Sequence, residues 1–310
     1  MHPLYSRNAA ASMVWAALLL AALLTAPAFC SEPIPPRARD LGIPFAGTAG
    51  PLNAITDVAA VEVGHATLTR GEGPLVAETW DGFLNDIYGQ HVHEEDVFHA
   101  LDSATGGPVP EGNVGGGTGM RTFEFSGGIG TASRSVDTPF GRFTLGVLVQ
   151  SNFGMRAELR MAGVPLGAEI TDLLPQTGAV EKPGGNSIVA IIATDTPLIP
   201  TQLRRLARRA TLALGRVGSN GHGGSGDIFL AFSTANRMTA YWGKEINHLS
   251  MLPDMDPLFE ATAQATEEAI INALVAGKTM TGVDGNTVHA LPHERVRQIL
   301  RKYNRLESAP

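Results

Sequence analysis

The sequence predicts a layered α/β domain, and three observations carry that expectation. Short apolar runs of strand length, Phe143–Gln150, Ser187–Thr194 and Asp227–Thr234, are interleaved with longer segments of helical pattern. Hydrophobic residues make up 44% of the chain and charged residues 17%, enough to build a core and too little charge for disorder. The 36 glycines and 20 prolines follow no period, which excludes a collagen-like fibre and assigns the excess to turns. The formal net charge of −7 argues against a nucleic-acid surface. A single cysteine makes neither an internal disulfide nor a Cys-based zinc site.

The first segment reads as a targeting sequence. Arg7 is its only charged residue, an apolar stretch runs from Met13 to Leu24, and Ala26-Pro27-Ala28 supplies small residues for cleavage. The stretch is short for a membrane span, so residues 1–28 are expected to be a signal peptide, with an uncleaved anchor as the other reading. Cys30 would suit a lipoprotein, but the bulky Phe29 before it fits poorly. The expected location is periplasmic or secreted, with no stable membrane insertion.

The remaining elements follow in order. Ser31–Arg39 is Pro-rich and predicts an extended arm. Ile55–Thr67 alternates as strands do. His93–Ala100 predicts a helix, because Glu94, Glu95 and Asp96 suit a helix N-terminus. Gly106–Gly130 is a long glycine-rich zone. Phe143–Gln150 predicts a buried strand and Met155–Ala162 a helix ended near Gly163 and Pro165. Gln176–Gly185 reads as a polar linker before the buried strand Ser187–Thr194. Pro200–Leu214 predicts one amphipathic helix, with Leu203, Leu206, Ala210 and Leu214 on a stripe and Gly215 to stop it. Gly221–Gly226 is a turn feeding the strand Asp227–Thr234. Pro257–Ala276 and Pro292–Tyr303 are the last two helices.

Several motifs are weak. Asn113–Met120 invites a phosphate-loop reading, but a P-loop ends in Gly-Lys-Ser/Thr and this run ends in Gly119-Met120-Arg121. Tight backbone packing explains its glycines equally well. His91, His93 and His99 lie near acidic residues, yet Val97 stands where a His-Glu-x-x-His pattern needs its second histidine. No cofactor and no metal is implied.

Gly185-Asn186-Ser187 is more informative. A serine that opens an apolar strand after a flexible linker is placed to attack the preceding Asn186 carbonyl. Hydrolysis of the resulting ester would free Ser187 as a new N-terminus, whose α-amine titrates ordinarily near 7.7–8.0 and suits a general base. The tripeptide alone also fits a serine ending a turn. Ser225-Gly226-Asp227 and Asn152 lie at the edges of other apolar strands. A Ser-x-Asp pair can orient a nucleophile, and an asparagine can donate its amide to an oxyanion, though each also fits a turn or cap.

Taken together, the chain resembles the peptidase family of D-aminopeptidase/esterase DmpA and the β-peptidyl aminopeptidases. The matching pieces are Leu84-Asn85-Asp86-Ile87, Glu111–Met120, Gly127–Arg134, Val149–Gly154, Gly185–Pro197 and Ser225–Thr234. The resemblance implies a four-layer αββα sandwich resembling N-terminal-nucleophile hydrolases. It also implies self-cleavage of residues 29–310 between Asn186 and Ser187, into an α chain (29–186) and a β chain (187–310). Such αβ heterodimers are expected to assemble into a homo-oligomer. Carried over by position, Ser187 looks like the nucleophile, Ser225 and Asp227 its supporting pair, Asn152 an oxyanion donor, and Glu111 a ligand for the substrate's α-ammonium.

The implied function is a secreted serine aminopeptidase or amidase acting on peptides, amides or esters with a free amino terminus. The alternatives are a non-catalytic relative and an ornithine-type acyltransferase, whose nucleophile is threonine. Two departures stand out. The family carries several dozen residues between the Gly64-His65 region and Leu84-Asn85-Asp86-Ile87 that are absent here, and Phe123 stands where many members have tyrosine.

Overall fold

The apolar runs become three neighbouring strands of one four-stranded sheet. The computed structural model describes residues 35–67, 79–89, 91–178, 187–224, 226–235 and 251–307. The signal segment, the linker residues 179–186 and Ser225 lie outside the described residues. The chain divides into two compact units, Met1–Pro35 and Pro36–Pro310, and all the described elements lie in the second.

The elements run α1 (Glu94–Asp102), β1 (Arg121–Thr122), β2 (Phe125–Ser126), β3 (Gly128–Thr138), β4 (Gly141–Asn152), α2 (Leu166–Glu169), β5 (Ser187–Thr194), α3 (Pro200–Ala207), α4 (Ala210–Arg216), β6 (Ile228–Ser233), α5 (Asp256–Ala276), β7 (Met280–Thr281), β8 (Thr287–Val288) and α6 (His293–Lys302). The main sheet has the order β3-β4-β5-β6, with β3–β4 and β4–β5 antiparallel and β5–β6 parallel. The parallel step needs a crossover, which α3 and α4 supply. Among the described residues the other sheets are the two-stranded ribbons β1–β2 and β7–β8.

The period-two alternation of the strands sorts two faces. Leu145, Val147, Val149, Ile188, Ala190 and Ile192 join the main core, to which α5 contributes Ala265, Ala269, Ile270 and Leu274. Leu148, Ile191, Ala193 and Phe232 face the other way, toward Ile55 and Val58. Helix α5 crosses β3 closely enough that a Cβ on Gly130 would collide with the Ala269 carbonyl and crowd Ala273. Gly130→Ala is therefore expected to cost about 1–3 kcal/mol, read as a lowered denaturant midpoint. An unchanged midpoint would mean that α5 moves away freely.

Helix α5 also carries a buried acid. Glu268 receives Arg39 at 2.7 Å and Arg134 at 2.8 Å, and accepts a 2.6 Å hydrogen bond from Asn53 Nδ2. Arg39 belongs to the segment expected to be an extended arm. From Pro36 on, that arm is clipped to the core, because the Ala38 N–H donates to Asn272 Oδ1 and Arg39–Leu41 forms a 3-10 turn.

Other expectations need correction. Ile55–Thr67 is not a strand: it opens with a 3-10 turn at Ile55–Asp57, and its one bridge is Val63↔Thr105. The alternation there instead buries Ile55 and Val58 against the sheet. Met155–Ala162 is not a helix beyond a 3-10 turn at Arg156–Glu158. The Arg156 guanidinium is drawn inward to the carbonyls of Phe123, Glu124, Ile170, Asp172 and Leu173 and lies 3.3 Å over the Phe125 ring. Pro200–Leu214 breaks into α3 and α4. Arg209 N–H donates to Leu206 O and Leu212 N–H to Arg209 O, tighter three-residue bonds that turn the axis. Strand β6 is apolar yet only partly buried, since Ile228 is 52% and Leu230 53% exposed. The mixed α/β class and the positions of α1, β4, β5, β6, α5 and α6 agree with the sequence reading.

Candidate active site

The end of the β4–β5 ladder brings two expected site residues together. Ser187 is the first residue of β5 and Asn152 the last of β4, and they are direct cross-strand partners. Period-two alternation puts both side chains on the same face as Gln150, Val189 and Ile191. Ser187 is only 7% exposed. Among the described residues no group hydrogen-bonds its Oγ.

Extending the parallel β5–β6 register back from Val189↔Ile228 sets Ser187 beside Gly226. The Gly226-Asp227 segment therefore enters the sheet next to the Ser187 end of β5. Asp227 is half-buried and engaged by a partner of its own. Asn186 and Ser225 themselves lie outside the described residues.

Asn152 is oriented by backbone groups. Its Oδ1 accepts a 2.8 Å hydrogen bond from the Arg121 N–H, and its Nδ2 donates to the Trp80 carbonyl at 2.6 Å. These two bonds fix which end of the amide is the donor. An amide nitrogen carries two hydrogens, so one N–H is left for another acceptor. Trp80 and Arg121 were invisible to sequence reasoning, because they act through main-chain atoms that every residue type possesses.

The glycine-rich zone serves close packing around these residues. A Cβ on Gly116 would collide with Gln150 Oε1, and one on Gly119, at φ +86°, with Asn85 Nδ2. Asn85, from the Leu84-Asn85-Asp86-Ile87 motif, donates to the Thr118 carbonyl at 3.0 Å and to Asp81 Oδ2 at 2.6 Å. Asp81 is buried, and burial pushes its carboxyl above the ordinary value against the Asn85 hydrogen bond.

Glu111 is not brought to Ser187. Its carboxylate takes a two-pronged contact from Arg37, Nε at 2.8 Å and Nη2 at 3.0 Å, and accepts the Thr131 N–H at 2.8 Å. Thr131 pairs with Leu148 and Leu148 with Ile191, two strands across from β3. Ile191 is four residues along β5 from Ser187, or about 13 Å. Burial raises the Glu111 carboxyl, with the Arg37 charge opposing it. An ammonium ion at Glu111 would have to displace Arg37. Phe123 is fully buried and packs its ring edge-on to Phe153 at 5.2 Å.

A second missed feature lies at the 219–224 turn. Glu158 accepts from Asn220 Nδ2 at 2.7 Å and meets His222 Nε2 at 3.0 Å through both carboxylate oxygens. No spacing links residue 158 to residue 222, so only the fold reveals the pair.

Comparison with known proteins gives a consistent result. The model of Peptidase family S58 matches residues 69–288. β-Peptidyl aminopeptidase BapA of Sphingosinicella microcystinivorans is 40% identical over 94% of this chain and 98% of its own length. The protein of the same name from Sphingosinicella xenopeptidilytica is 37% identical over 91% and 95%. The first alignment spans 389 positions, more than the 310 residues of this chain, so that relative carries segments absent here. Among solved structures, the L-aminopeptidase D-Ala-esterase/amidase of Ochrobactrum anthropi aligns with a TM-score of 0.79 at 36% identity, over 87% of this chain and 99% of its own. It is described as a prototype for the serine aminopeptidases and a new variant among the Ntn hydrolase fold. A Burkholderia sp. β-aminopeptidase aligns with a TM-score of 0.75 at 36% identity, over 86% and 99%.

Proposed function

The chain belongs to Peptidase family S58, the serine-type aminopeptidases, and from that premise we propose that it is a self-activating enzyme whose nucleophile is Ser187. The observation that supports this reading best is the pairing of Ser187 with Asn152 at the end of the β4–β5 ladder.

Activation proceeds on the chain itself. Ser187 Oγ bonds to the Asn186 carbonyl carbon, the C–N bond breaks, and the nitrogen becomes the Ser187 α-amine. Water then hydrolyses the ester, leaving a carboxylate on Asn186 and a free Ser187 hydroxyl. The products, 29–186 and 187–310, stay joined because the ladder from Asn152↔Ser187 to Leu145↔Thr194 and the packing of α5 on β3 cross the cut. Assembly of these αβ units into a homo-oligomer follows from the resemblance.

Turnover reuses the same groups. Ser187 Oγ attacks the first carbonyl of a peptide, amide or ester with a free amino terminus, and its proton passes to the Ser187 α-amine. The spare Asn152 N–H meets the oxyanion. The leaving amine takes the proton back, and water releases the acyl group. Ser225 and Asp227 support the nucleophile from the neighbouring turn. The relatives named for β-peptidyl substrates make β-peptides the first substrates to test, beside L-amino-acid and D-amino-acid amides. Export by a signal peptide over residues 1–28 completes the reading.

Denaturing gels with fragment mass spectrometry of the purified protein test it. Two fragments are expected, the second beginning at Ser187; a single uncut chain refutes self-activation. Asn152→Ala is expected to lower kcat about 100-fold with KM little changed, as loss of one oxyanion donor does. An equal rise in KM with normal kcat would place Asn152 in ground-state binding instead.

A further inference from the structure

Among the described residues, the 219–224 turn that leads to Asp227 and β6 is tied to one side chain of another segment, Glu158. Ser219–Gly224 is largely exposed and glycine-rich, with Ser219 and His222 half-buried, and added Cβ atoms on Gly221, Gly223, Gly224 and Gly226 would meet nothing within 4 Å. Its internal bonds are Ser219 N–H to Leu214 O and Gly221 N–H to Ser219 Oγ. Among the described residues, its only side-chain ties to another segment are Asn220 and His222 to Glu158. The Glu158 loop is itself firmly seated: Arg156 beside it is buried, Leu159 is in the core, and a Cβ on Gly218 would strike the Glu158 carbonyl.

A glycine-rich turn with no packed side chains samples many conformations, and each costs alignment of whatever it carries. We propose that Glu158 is a positioning residue for the serine nucleophile: through Asn220 and His222 it clasps the 219–224 turn and so holds the Gly226-Asp227 segment beside the Ser187 strand end. The inference rests on the Ser187 reading above.

The chemistry suits a clasp. Partial burial pushes the Glu158 carboxyl up, but the hydrogen bonds from His222 and Asn220 and the Met155 N–H hold it below its ordinary value, so it is ionised at neutral pH. His222 is the titratable side chain that faces it. Arg156 of the same loop points inward to carbonyls, Arg160 is exposed, and Arg216 on α4 is paired with Glu267 at 3.2 Å. Either protonation state of His222 keeps an N–H for the carboxylate.

The test compares Glu158→Ala, His222→Ala and Glu158→Gln in the full chain, with an aminoacyl p-nitroanilide as probe. Glu158→Ala is expected to lower kcat about ten- to a hundredfold with KM within about twofold, and to speed amide exchange at 219–226 while other segments keep wild-type exchange. His222→Ala should give a smaller loss of the same kind. Glu158→Gln keeps an acceptor for Asn220 and His222 and should recover most of kcat. Wild-type kcat in Glu158→Ala, or Glu158→Gln no better than Ala, overturns the proposal. Turnover that survives Ser187→Ala would instead refute the nucleophile assignment, and exchange at 219–226 would still report the clasp.

Discussion

Ser187→Ala is expected to leave the chain uncut and to lower aminopeptidase turnover by about a thousandfold or more, the loss typical of removing a covalent nucleophile. The effect is expected to be large because in the proposed reading one hydroxyl serves twice, first on the Asn186 carbonyl and then on the substrate. Removal of a single oxygen at the end of β5 leaves the ladder to β4 intact, so the uncut protein should fold. Fragment masses read the first effect, and p-nitroanilide or amide hydrolysis the second. Cutting before residue 187 in the variant would sink the assignment. So would wild-type turnover from an uncut variant.

Glu268→Ala is expected to destabilise the fold strongly, by about 3–5 kcal/mol. The carboxylate is fully buried, and Arg134 beside it is 1% exposed. Truncation leaves that guanidinium in the core without its counter-charge and frees Arg39 and Asn53, which tie the N-terminal segment to α5. Burial pushes the Glu268 carboxyl up, but the Arg39 hydrogen bonds and the charges of Arg134 and Arg39 hold it below the ordinary 4.5. A depressed carboxylate stabilises the fold above its unfolded value and loses that contribution as pH falls through the folded value. Wild-type stability should therefore drop below about pH 4.5, and Glu268→Gln should lose this part of the dependence. Denaturant midpoints at pH 7 and pH 3.5 measure both. A Glu268→Ala midpoint shift worth under about 1 kcal/mol would mean that Arg134 finds another acceptor.

Legibility varied by element. Ser187–Thr194 was readable to the residue, because a run of apolar β-branched and small side chains bounded by polar linkers has one economical conformation. Asp256–Ala276 was readable within one residue from its proline start and the glycine beyond it. Ile55–Thr67 failed because its apolar residues Ile55, Val58, Val61 and Val63 report burial, and a loop packed on the sheet buries side chains as a strand does. Met155–Ala162 failed because Arg156, polar in sequence, is drawn into the core by five backbone carbonyls. Ile228 and Leu230 show the reverse error, apolar side chains that remain exposed on the same sheet face as Ser187.

By itself the sequence determined α1, β4, β5, β6, α5 and α6, the family resemblance, and Ser187 and Asn152 as residues to watch. Those depend on side-chain type and order, which are written in the chain. Only the tertiary structure decided that Ser187 and Asn152 are opposite each other, that Asn152 is aimed by the Trp80 carbonyl and the Arg121 N–H, and that Glu111 belongs to Arg37. The same holds for the link from Glu158 to Asn220 and His222. Each is a contact between segments distant in sequence or made by backbone atoms, and neither kind leaves a mark on local composition.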